Sequence, residues 1–158
     1  MDRNRSVSEI ASHLLRRGWW LSCAESCTGG GIAKALTDVA GSSAWFDRGF
    51  ITYSNRAKQE MLGVSLDTLK SFGAVSRETA IEMARGALTY SDAQLSVAVT
   101  GIAGPEGGTT AKPVGTVWIA WASEQGEDAV CEHFPGSRNA VRSATVDAAL
   151  SGLLQRVR

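Results

Sequence analysis

Apolar residues recur at helical spacing at Val7, Ile10, Ala11, Leu14 and Leu15, so the chain is predicted to open with an amphipathic helix. Ser6 or Ser8 can cap its start, and Gly18 stops it. Residues 19–24 then form a short, continuously apolar run that reads as a buried strand. Residues 28–39 return to helical spacing, with Ile32, Ala35, Leu36 and Val39 on one face, until Gly41, Ser42 and Ser43 break the pattern. A second strand is predicted over 49–53. Asn55 is placed as the cap of a helix reaching about Leu62, followed by a short helix over 66–72. A longer helix over 77–90 carries Ala80, Met83, Ala84 and Ala87 on its inner side.

Residues 95–100 are small, apolar and β-branched, as suits a strand covered on both faces. Residues 114–122 read the same way, and Gly126 turns the chain into a strand over 128–134. A final helix from about Ser137 carries Val146, Leu150, Leu153 and Val157. The long irregular segment, residues 101–113, holds four of seventeen glycines and two of three prolines, which marks it as a functional loop rather than a missed element. Strands alternating with helices predict an α/β fold, a three-layer α/β/α sandwich around a mostly parallel (mixed) central sheet. One domain over residues 1–158 is expected from the length.

Composition narrows the function. Sixteen basic residues balance sixteen acidic ones without long blocks, so neither a nucleic-acid partner nor a membrane is expected. No run of 18 or more apolar residues occurs, and no signal core is present. Three cysteines, at 23, 27 and 131, suit reduced thiols in a cytoplasmic protein better than disulfides or a metal site, and no cofactor or metal is expected.

Ligands of such sheets gather beyond the carboxyl ends of the strands. Three polar segments fall there: Glu25-Ser26-Cys27-Thr28-Gly29-Gly30, Tyr53-Ser54-Asn55, and Thr100-Gly101-Ile102-Ala103-Gly104-Pro105. Ser26 is placed to attack a carbonyl while amides at the following helix start hold an oxyanion. Local spacing alone favours the plainer alternative, Ser26 or Thr28 as a helix cap. His13, on the first helix, and His133, in a late strand, are poor bases for this serine. Lys58, one turn into the helix after Tyr53, is better placed, provided burial lowers its proton affinity; an exposed helical lysine is the plainer reading. The 100–109 loop could form an anion nest. Arg138 and Arg142, four apart on the last helix, are suited to a phosphate or form a solvated face.

Together these segments resemble the C-terminal domain of the CinA family, most closely its stand-alone nicotinamide mononucleotide amidases of the PncC type. The matching stretches are Ala24 to Gly30, Gly41-Ser42-Ser43, Gly49 to Asn55 with Lys58, Gly73-Ala74-Val75-Ser76, Thr100 to Pro105, and Lys112 to Val117. The resemblance implies hydrolysis of the carboxamide of nicotinamide mononucleotide to nicotinic acid mononucleotide and ammonia. It implies Ser26 as nucleophile, Lys58 as base and Tyr53 beside them. Glu25, Thr28, Gly29, Gly30, Thr100, Gly101, Gly104 and the arginines, Arg138 ahead of Arg142, are expected at the substrate. The molybdopterin-binding-like domain of larger CinA proteins has no counterpart here, and Ser137 stands where the family often has an acidic residue. Three further expectations complete the reading. Cys27 is a rival nucleophile, at a helix start that would stabilise a thiolate. A catalytically silent nucleotide-sensing or protein-binding module is the rival function. A homodimer or higher homo-oligomer is the expected assembly.

Overall fold

The computed structural model describes residues 1–158. Helix α1 (Arg3–Arg17) leads into strand β1 (Leu21–Glu25), helix α2 (Gly31–Thr37) and a 3₁₀ turn at Ser42–Ala44. Strand β2 (Phe46–Ile51) is followed by helices α3 (Asn55–Leu62), α4 (Leu66–Phe72) and α5 (Arg77–Thr89). Strands β3 (Leu95–Gly101), β4 (Thr116–Ser123) and β5 (Gly126–His133) precede the last helix, α6 (Arg138–Val157). The sheet runs β2-β1-β3-β4-β5. β1 pairs parallel with both β2 and β3, whereas β3–β4 and β4–β5 are antiparallel. The sheet is therefore mixed, as expected; its antiparallel part arises because the 102–115 connection contains no crossover helix and simply brings the chain back.

Three helix starts differ from expectation: α2 begins at Gly31, with Gly30 and neither Ser26 nor Thr28 at its cap position. The cap of α1 is Asp2, whose side chain accepts from the Arg5 amide, so the helix begins before Ser6 and Ser8. The cap of α3 is Ser54, which accepts from the Ala57 amide and leaves Asn55 free for another use. Gly18 does end α1, in a left-handed conformation (φ 67°).

The two faces of the sheet are built from different residues. Leu21, Cys23, Leu95, Val97, Val99, Val117, Ile119 and Trp121 point to one core with α1, α2 and α6. The alternate positions Ala24, Ala98, Ala120 and Ala122 meet α3, α4 and α5, which contribute Leu62, Leu69, Ala80, Met83, Ala84 and Ala87. Small residues on both sides let α5 lie close to the strands. The Ser22 and Ser96 hydroxyls donate to the α5 carbonyls of Ala87 (3.1 Å) and Ala84 (2.7 Å). On the opposite face Gly152 of α6 sits on the Trp121 ring, where an added Cβ would lie 2.0 Å from Cζ2. Gly152→Val is accordingly expected to cost roughly 3 kcal/mol through overpacking, read as a lowered urea midpoint with unchanged slope.

This order creates the site. From β1 the chain crosses through α2 on one face to reach β2, then through α3–α5 on the other face to reach β3. The two connections leave on opposite faces, so a crevice opens at the carboxyl end of β1, the switch point of the sheet.

Candidate active site

Ser26 is the first residue beyond β1, and the sheet ladder fixes it from both sides. Its amide donates to the Val99 carbonyl on β3 (3.1 Å), while the Glu25 carbonyl accepts from the Thr52 amide beyond β2 (2.8 Å). The chain then turns through Gly29 (φ 58°) and Gly30 (φ 107°) into α2. A side chain at either glycine would be strained, and its Cβ would lie 3.2 Å from Arg142 or Ile51.

Lys58 reaches Ser26 from α3. Its Nζ donates to Ser26 Oγ (2.9 Å) and to the carbonyls of Thr52 (3.0 Å) and Tyr53 (3.1 Å). Those three acceptors use all three ammonium protons. A neutral Lys58 can keep its two protons on the fixed carbonyls and turn its lone pair to the Ser26 hydroxyl. The lysine is 1% exposed and has no carboxylate partner. Burial lowers its pKa from 10.5 to about 8. A shift of that size raises the neutral fraction near pH 7 roughly 300-fold. Ser26, itself buried, thus faces an amine that is partly neutral near pH 7.

The two residues open on a cavity of about 200 Å³, lined also by Cys27, Tyr53, Asn55, Val75, Thr100, Gly101 and Arg138. The three polar segments do converge here. Asn55, expected at the ligand edge as the cap of α3, lines the cavity because Ser54 takes the cap; Val75 is a lining residue with no assigned role in the sequence reading. Larger depressions of about 270 and 240 Å³ lie elsewhere and one of about 520 Å³ adjoins this cavity at Val75, but none of them holds a serine bonded to a lysine.

Arg138 donates to the Gly104 carbonyl (2.8 Å) and to the Tyr53 hydroxyl (3.1 Å), and no carboxylate neutralises it. The phenol of Tyr53 therefore leans toward Arg138, while its backbone carbonyl is what holds Lys58 and also accepts from Ser26 Oγ (3.4 Å). Thr100 forms part of the wall, with its hydroxyl donated to the Ala74 carbonyl (2.8 Å). The mouth of the cavity is cationic.

Other expected residues stand behind the wall rather than on it. The Glu25 carboxylate is fully buried and turned to α2, where it accepts from Thr28 Oγ1 (2.5 Å) and the amides of Ile32 (2.8 Å) and Ala33 (3.0 Å). It does not line the cavity, and neither do Thr28, Gly29 and Gly30. Arg142 grips the carbonyls of Cys27 (3.0 Å) and Thr28 (3.2 Å). Of the amides in the Ser26–Gly31 turn, that of Cys27 belongs to a cavity-lining residue and has no protein acceptor, so an oxyanion can draw on it.

The expectation of a stabilised Cys27 thiolate is reversed. Burial, helped by nearby Glu25, pushes this thiol up to about 11, and Glu25 already occupies the start of α2. His13 pairs with Arg16 on α1, and His133 is exposed on the edge strand β5, so neither reaches the cavity.

The family description "CinA C-terminal domain" matches residues 3–157. The chain is 58% identical over 135 residues to the nicotinamide-nucleotide amidohydrolase PncC of Enterobacter agglomerans, covering 85% of this chain and 82% of that one. It is 51% identical over 149 residues to the protein of the same name from Escherichia coli K12, covering 94% and 90%. The crystal structure of competence/damage inducible protein CihA from Agrobacterium tumefaciens superposes with a TM-score of 0.97 at 48% identity, covering 100% of this chain and 97% of that one.

Proposed function

The chain belongs to the CinA C-terminal domain family, and from that membership we propose that Ser26 and Lys58 hydrolyse the carboxamide of nicotinamide mononucleotide. Its likeness to PncC proteins over most of its length makes it a nicotinamide-nucleotide amidohydrolase, a hydrolase of an amide bond acting on a small molecule. The observation that carries the mechanism is the 2.9 Å contact between Lys58 Nζ and Ser26 Oγ in a setting that lowers the lysine's proton affinity.

Neutral Lys58 takes the Ser26 proton as Oγ attacks the carboxamide carbon. Negative charge develops on the carbonyl oxygen, which the free amide of Cys27 receives. As the C–N bond breaks, the ammonium of Lys58 returns the proton to nitrogen and ammonia leaves. Water then gives a proton to Lys58 and attacks the ester carbon; the ester C–O bond breaks, Ser26 regains its proton, and the product is a carboxylate. Tyr53 serves this scheme through its carbonyl, which orients Lys58. Its hydroxyl is part of the substrate mouth with Arg138.

Arg138 supplies the phosphate contact, as the cavity-lining arginine without an anionic partner. Ammonia release is expected from the mononucleotide in preference to nicotinamide riboside. Arg138→Ala should raise KM for the mononucleotide by roughly 10- to 100-fold and leave the riboside nearly unaffected. Equal losses on both substrates would remove the phosphate role.

A further inference from the structure

We propose that Glu25 is a positioning residue for this reaction: from inside the fold its carboxylate clamps Thr28 and the first turn of α2, and so holds Ser26 in line with Lys58. The inference rests on the Ser26–Lys58 reading, and it concerns a residue that touches neither the cavity nor the lysine.

Glu25 ties both ends of the turn that carries the nucleophile. Its carbonyl is bonded to Thr52 and the next amide to Val99, which anchors the strand end to β2 and β3. Its side chain anchors the helix end, with Oε1 accepting from Thr28 Oγ1 and the Ile32 amide and Oε2 from the Ala33 amide. The cap position itself is Gly30, which has no side chain to bond, and its left-handed backbone disfavours any residue that does. The start of α2 therefore depends on a carboxylate reaching forward seven and eight residues from the strand. A buried carboxylate is costly unless its lone pairs are used; here both oxygens are bonded to the Thr28–Ala33 segment, and Oε2 also accepts from the Cys23 thiol on β1 (3.8 Å). Arg142 holds the opposite side of that turn by the carbonyls of Cys27 and Thr28. Ser26 Oγ is thus located by a frame that Glu25 closes. Displacing such a frame by about 1 Å can lower turnover on the order of 10²-fold.

Glu25→Gln keeps the length but puts an amide nitrogen where an acceptor is needed. It is expected to lower kcat by roughly 10- to 100-fold at 25 °C. KM should stay close to wild type, and the kcat/KM profile should keep its bend at about 8, because the burial of Lys58 and its two carbonyl partners are untouched. Thr28→Val, which removes one donor and leaves the charge, should lower kcat in the same direction by less. The double variant should be no slower than Glu25→Gln alone, since both act on one clamp. Thr28→Val decides the matter if Glu25→Gln does not fold.

Wild-type kcat in Glu25→Gln or in a folded Thr28→Val, with only a lowered melting temperature, would reduce the clamp to a structural support and overturn the proposal. So would a shifted pH bend, a loss confined to KM, or losses that multiply in the double variant. Failure of the underlying reading has a different signature: Ser26→Ala would remain active whatever Glu25→Gln does.

Discussion

Replacing Ser26 by alanine is expected to lower kcat by on the order of 10⁴-fold or more while the protein stays folded. The hydroxyl contributes one contact to Lys58 and a longer one to the Tyr53 carbonyl. Lys58 keeps both of its carbonyl acceptors when the hydroxyl is gone, so the stability change should be about 1 kcal/mol. Circular dichroism and a urea midpoint near wild type would show that the loss is chemical. Cys27→Ala should keep most of its turnover, because the buried thiol, pushed up to about 11, holds its proton where the enzyme works. The opposite pattern, an active Ser26→Ala beside an inactive Cys27→Ala, would transfer the nucleophile to the neighbouring residue. Rapid mixing separates covalent from water-only catalysis. A burst of ammonia ahead of the acid product, stoichiometric with enzyme, is expected for an ester at Ser26.

The convergence at Ser26 was legible in the chain because element order places the ends of β1, β2 and β3 together. The direction of each side chain was less so. Glu25 lies next to Ser26 and was grouped with it, yet it shares strand parity with Leu21 and Cys23, which face α1, α2 and α6. That alternation was the available signal that Glu25 points toward α2 and away from the cavity. Arg138 and Arg142 share a helix face by spacing alone. What separates them is tertiary: Arg142 meets the carbonyls of the Ser26 turn, while Arg138 meets Gly104 and Tyr53 at the cavity. The start of β2 at Phe46 was also hidden, because it is an edge strand whose Asp47 and Arg48 pair with each other and look like loop residues. Lys58 illustrates the limit most clearly. Nothing local distinguishes it from a solvated helical lysine; its burial comes from the crevice that three separate segments enclose.

That burial makes the pH profile the second decisive measurement. With Lys58 as base, kcat/KM should fall tenfold for each unit below about 8 and level off above it. Lys58→Met should lower kcat/KM at pH 8 by about 10³-fold and abolish the bend. Lys58→Arg should be comparably inactive, since a guanidinium keeps the charge and cannot surrender its proton. Stability gives an independent reading of the same group. Its folded pKa, about 8, lies below the ordinary value of 10.5, so between those limits the unfolded chain binds more protons. Wild-type stability should therefore gain a contribution as pH rises from 8 to 10.5 and lose it as pH falls back to 8. Urea midpoints at pH 8 and pH 10 should show this gain for wild type and not for Lys58→Met. A bend near the ordinary histidine range, or one that survives in Lys58→Met, would assign the base elsewhere and leave the buried lysine as a structural cation.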